Sequence, residues 1–125
     1  MKTRNDLKPG AFLAKEQKYY DKLGISHEPS PREDGLRTSG RENTFEWWYV
    51  DSELEDGTKI VTVFFTKNSF DLKGPAQPTA TIDISLLDGR KITKVFSKAK
   101  GTLIRASSEK CDVNVKDSYL RHDYR

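Results

Sequence analysis

Two carboxylates, Glu46 and Asp51, bracket a run of large side chains in the stretch TFEWWYVDSEL at positions 44–54. A carboxyl group packed among apolar side chains loses the water that favours its charged form. Its pKa rises, and it becomes a usable proton donor. Each carboxylate also has a plainer reading. Glu46 would form a cross-strand ion pair with Lys67, and Asp51 a hydrogen bond to Thr62 or to a backbone group. The remaining reactive types are sparse. His27, His122 and the single cysteine, Cys111, have no metal-ligand spacing to one another, so no metal site is expected. No glycine-rich phosphate loop, dinucleotide fingerprint or nucleophile-elbow motif is present, and no cofactor is expected.

The element that must position these groups is a β-hairpin. Side chains alternate across a strand, so Trp47 and Trp48 cannot enter the same core. Asp56-Gly57 is a strong hairpin signal. With these two as the turn residues, Trp48 would face Phe65 and Val50 would face Val63 on a plain apolar side. Trp47, Tyr49, Asp51, Thr62, Phe64 and Thr66 would share the other side, and Glu46 would oppose Lys67. That mixture of aromatic and polar groups suits a ligand pocket, which is mostly apolar with a few orienting polar groups. Trp47, Tyr49, Asp51, Thr62 and Phe64 are therefore the candidate ligand-binding residues, and Trp48 is assigned to packing. An apolar hairpin on both faces needs cover on both.

A second hairpin repeats the device. Its alternating Ala80, Ile82, Ile84 and Leu86 end at Asp88-Gly89, a register that would place Asp83 opposite Lys94 and Ile82 opposite Val95. Only one of its faces is continuously apolar. The loop KNSFDLKGPAQP between the hairpins is long enough to move or to cap a cavity. Shorter strands are expected near 102–105 and 111–115, and DSYLRHDYR reads as the start of another, cut short. Before the β region, residues 11–23 have helix-forming composition with Phe12, Tyr19, Tyr20 and Leu23 on one face and Gly24 at the stop. That helix is one candidate cover for the hairpin. Residues 25–43 turn to Pro, Gly, Ser and charge, as in a linker. The expected organisation is a lead over 1–43 and a β domain over 44–125, built as an antiparallel barrel or sandwich.

The 125 residues suffice for one domain with a core, but only 34% are hydrophobic and 33% are charged. The net charge of +3 is spread among nearly as many acids, without a basic run. Glu46, Asp51, Glu53 and Glu55 on the aromatic strand would repel phosphates, so nucleic acid is not an expected partner. Lysines 91, 94, 98 and 100 read as a solvated strand edge. No apolar stretch reaches membrane-spanning length, and MKTRNDLKPG is not followed by the apolar region of a secretory signal. A cytoplasmic location is the expectation.

Glu46-Trp47-Trp48-Tyr49, then Asp56-Gly57, then the Val61 to Phe65 strand, resemble the hydroxyneurosporene synthase family, the carotenoid 1,2-hydratases. The likeness runs from Gly35 to Arg125, and CDVNVKDSYLRHDYR is similar to the family's stretch entering its next strand. The resemblance implies two consecutive lipocalin-like β-barrels, of which this chain would carry a lead and an incomplete first barrel. The second barrel would then cover the other aromatic face. It implies a hydrophobic small molecule as partner, an isoprenoid or polyene, and a cofactor-independent hydro-lyase adding water across a double bond, or a relative guiding cyclisation. The family's proton donors belong to its later half, so the resemblance gives Glu46 and Asp51 no catalytic role. A non-catalytic carrier for the same kind of ligand is the alternative.

Overall fold

The computed structural model describes residues 13–125. Two compact units divide after Ser30. The first contains α1 (Gln17–Leu23), which covers the end of the expected helix. Gly24 stops it in the left-handed region at φ 65°, with its N–H bonded to Asp21 O at 3.2 Å and the Ile25 N–H bonded to Tyr20 O at 3.1 Å. Tyr19 and Tyr20 are half-buried, Leu23 is exposed, and α1 buries none of its side chains. Phe12 and its neighbour at position 11 lie outside the described residues.

The second unit runs from Pro31 to Arg125. Residues 31–43, expected as linker, are packed loop within it: a 3-10 turn at Pro31–Asp34, then Leu36 donating its N–H to Ser107 O at 2.8 Å. The strands are β1 (Trp47–Glu53), β2 (Lys59–Phe65), β3 (Thr79–Ser85), β4 (Lys91–Ser97), β5 (Arg105–Ala106), β6 (Asp112–Val115) and β7 (Ser118–Arg121). The first four form a sequential antiparallel sheet and the last three a second. Both sheets are built from neighbouring strands, as the hairpin spacing suggested. No closed barrel is present among the described residues.

Both hairpin registers differ from expectation by one residue, for one reason. The chain does not turn on Asp-Gly alone. Gly57 donates its N–H to Leu54 O at 2.8 Å, and the Leu54 N–H bonds to Thr58 O at 2.8 Å, so Glu55, Asp56 and Gly57 all belong to the loop. Leu86, Gly89 and Arg90 repeat the pattern, with Leu87, Asp88 and Gly89 in the loop. This is a tight turn followed by a left-handed residue, supplied by Gly57 at φ 80° and Gly89 at φ 86°. The aspartates favour it. Asp56 Oδ1 accepts from the Thr58 N–H at 2.8 Å and Asp88 Oδ1 from the Arg90 N–H at 3.0 Å. The hydrogen bond from Thr58 holds the Asp56 carboxyl below its ordinary range.

The extra loop residue re-pairs the faces. The inner face of the larger sheet has three rows: Trp48, Phe64, Ala80 and Phe96; then Val50, Thr62, Ile82 and Lys94; then Ser52, Ile60, Ile84 and Ile92. The outer face carries Trp47 beside Phe65 and Tyr49 beside Val63, with Asp51 beside Val61 and Asp83 beside Thr93. Trp48, Phe64 and Ala80 bury themselves against Ile104, Cys111, Val113 and Val115, which come from the second sheet and its approach, with Leu36, Ala106 and Leu120 at the margin. The second sheet covers these three members of the first row. Val50, Ile92 and Phe96 stay about two-fifths exposed, at 41%, 44% and 41%, which leaves part of the inner face as an open trough.

Candidate functional site

The register slip decides where the candidate residues go. Trp47, Tyr49 and Asp51 lie on the outer face, while Thr62 and Phe64 lie on the inner one. The five do not line a common surface. Trp47 is 60% exposed and meets the Phe45 ring edge-on at 6.2 Å. The Tyr49 hydroxyl donates to Asp51 Oδ2 at 3.3 Å; partial burial first, and then the Asp51 charge, hold the phenol above its ordinary pKa. Asp51 itself is exposed, and its contact is with Tyr49 rather than Thr62.

Glu46 is a brace. It sits opposite Thr66, not Lys67: the Thr66 N–H bonds to Glu46 O at 3.0 Å and the Glu46 N–H to Thr66 Oγ1 at 2.9 Å. Its carboxylate accepts from the Arg37 N–H at 2.9 and 3.1 Å, the Thr38 N–H at 2.9 Å and the Thr38 hydroxyl at 3.1 Å. Both oxygens are engaged as acceptors, tying the loop before β1 to the strand. Lys67 is 2% exposed and donates to the Leu72 and Gly74 carbonyls at 2.9 and 2.7 Å. The expected ion pair is replaced by two separate anchors, and Lys67 holds down the loop that the sequence suggested as a mobile cap. Glu46→Ala is expected to lower stability by about 2–3 kcal/mol, because the Arg37 and Thr38 donors lose a charged acceptor. Glu46→Gln, which keeps one acceptor oxygen, should lose about half of that in urea unfolding.

Two cavities surround β1. An edge cleft of about 540 Å³ runs past Glu33, Asp34 and Gly35, residues 46–50, Cys111, and Leu120, Arg121 and His122. Tyr124 ties together two of the residues that line it: its hydroxyl accepts from the Cys111 N–H at 3.0 Å and donates to Asp34 Oδ2 at 3.1 Å. His122 Nδ1 lies 3.7 Å from the same carboxylate oxygen. Burial, with the Asp34 charge adding to it, pushes the Cys111 thiol up, so this cysteine is held as the unreactive thiol. Among the described residues no cluster of His, Cys, Asp and Glu could hold a metal ion.

The second cavity, of about 410 Å³, lies on the inner face. Its floor is Val50, Thr62, Phe64, Ala80, Ile82 and Phe96, and β7 with its preceding turn forms a wall of Asp117, Ser118, Tyr119 and Leu120. Phe64 is buried in it, Thr62 supplies a hydroxyl, and Asp117 is its carboxylate, on an exposed turn. Glu46, Trp47 and Tyr49 border the edge cleft, Thr62 and Phe64 the inner pocket, and Asp51 neither. Sequence reasoning missed Ile82, Phe96 and Leu120. The alternation of Ala80, Ile82 and Ile84 was a usable signal, because one apolar row must lie on the face that contains Phe64.

No family model, curated protein or solved structure matches the chain. Among the described residues no helix is long and apolar enough to cross a membrane.

Proposed function

We propose that this chain is a binding domain for a hydrophobic small molecule, of the lipocalin-like type found in hydroxyneurosporene synthase relatives, with the ligand on the inner face of the larger sheet. The observation that carries the reading is the inner pocket: an apolar sheet surface around Phe64 and Ile82, walled by β7, with Thr62 as an orienting hydroxyl. The Glu46-Trp47-Trp48-Tyr49 likeness supports the same assignment. Within it, the antiparallel sheets are part of a lipocalin-like barrel. The exposed outer face around Trp47 and Tyr49 is the surface that a second such domain would cover.

The carrier reading is favoured over hydration chemistry for these residues. Protonating an alkene needs a carboxylic acid aimed into the apolar site. Glu46 uses its oxygens as acceptors, Asp51 lies on the outer face, and Asp117 stands at an exposed turn. The test is titration with retinol, a neutral fluorescent polyene. Saturable binding is expected. Ile82→Asn, which places an amide in the middle of the floor, should weaken it by about tenfold, a loss near 1.4 kcal/mol. Trp47→Ala, on the outer face, should leave it unchanged. The reverse ranking of the two variants would place the ligand on the other face.

A further inference from the structure

Every inward strand position of the larger sheet is apolar or a hydroxyl residue, apart from Lys94. It completes the middle row, next to Ile82 across the strand pair, with Phe96 two residues further along the same strand. Ile82 and Phe96 both line the inner pocket, so the register places Lys94, an exposed residue, directly beside that lining. Among the described residues no hydrogen bond or ion pair involving Lys94 is found; the acids near it in the sheet are used elsewhere, and the pocket's own carboxylate, Asp117, is on the exposed turn before β7. Asp83 accepts from the Thr93 hydroxyl on the outer face, and Asp88 pairs with Arg90 in the turn.

An inward lysine on an edge strand also discourages edge-to-edge pairing, and β4 is such a strand. Two features go beyond that role. The lysine is placed in the row that forms the pocket floor, and its four-carbon stem can lie along apolar surface while the charge stays at the rim. A neutral hydrocarbon has no use for that charge. A chain that ends in an anion does. One isolated ammonium, with no arginine fork or second cation beside it on this face, matches a carboxylate rather than a phosphate.

We infer that Lys94 is the headgroup contact of the inner pocket, and that the ligand is an apolar chain ending in a carboxylate. The inference rests on the inner-pocket reading and narrows it. It is tested by comparing retinoic acid with retinol and methyl retinoate, which share one hydrocarbon body and differ in the head. At low ionic strength the wild-type chain should bind retinoate about fivefold more tightly than retinol, the size of a partly solvated ion pair. Lys94→Met should remove that advantage without changing retinol or methyl retinoate affinity. Lys94→Arg should keep it, and Lys94→Glu should reverse it. An edge-protecting lysine would change aggregation but not the preference between heads. If retinol binds and retinoate shows no advantage, or if Lys94→Met weakens all three equally, the assignment of Lys94 falls while the pocket stands. If none of the three binds, both fall.

Discussion

Trp48→Ala is expected to cost about 3–5 kcal/mol, while Trp47→Ala, one residue away, should cost less than about 1 kcal/mol. Trp48 is 8% exposed and packs with Phe64 and Ala80 against the strands of the smaller sheet. Removing its ring would open a cavity in the contact between the sheets. Trp47 is 60% exposed, and its neighbour is the Phe45 edge. Domains of this size have roughly 5–15 kcal/mol of total stability, so the first change takes a large share and the second almost none. Trp48→Phe separates the two parts of the effect. Most of the packing is kept, but the indole N–H that donates to Asp34 O at 2.7 Å is lost, which should cost about 1–2 kcal/mol. Urea unfolding of the three variants provides the ranking. Equal losses for both alanine variants would mean that the outer face is covered in solution.

The tryptophan pair shows what could be read from the chain and what could not. Strand alternation alone sent the two rings to opposite faces, as the fold has it; Trp48 was assigned to packing from a face shared with Val61, Val63 and Phe65, and it packs instead beside Phe64 and Ala80. The hairpins, their sequential order and the strand near the end of the chain were also visible in apolar periodicity and Asp-Gly signals. The register was not, because Asp-Gly serves two loop lengths. The choice between them depends on whether the preceding residue joins the turn, which Glu55 and Leu87 both do. That single residue moved Thr62 and Phe64 away from Trp47 and Tyr49, and separated Glu46 from Lys67. The roles of Glu46 and Lys67 were hidden for another reason. Apart from the Thr38 hydroxyl, the partners of these two side chains are backbone amides and carbonyls, which carry no residue-type signal in a sequence. The inner pocket needed both sheets, and the placement of β7 over Phe64 depends on packing between segments far apart in the chain.

Gly35→Ala should be nearly as damaging as the loss of the Trp48 ring, for a reason that no propensity scale would report. The backbone at Gly35 is ordinary, so conformational strain is not the issue. A methyl group there would meet the backbone of Ser108, touching its carbonyl oxygen and coming within 2.6 Å of its carbonyl carbon. Backbone cannot swing aside as a side-chain tip can. The loop at 31–36 would have to lift from 107–109, breaking the Leu36 N–H bond to Ser107 O at 2.8 Å. Asp34, next in the chain, would move with it and pull its carbonyl from the Trp48 indole. A loss of about 2–4 kcal/mol is expected, above the usual range for overpacking because hydrogen bonds fail together with the contact. The decisive measurement is the double variant. Gly35→Ala and Trp48→Phe both break the bond between Asp34 O and the indole, so it can be lost only once. The combined loss should fall short of the sum by at least about 0.5 kcal/mol. Strict additivity would show that the loop can retreat from Ser108 without disturbing Trp48, and that the two contacts are independent.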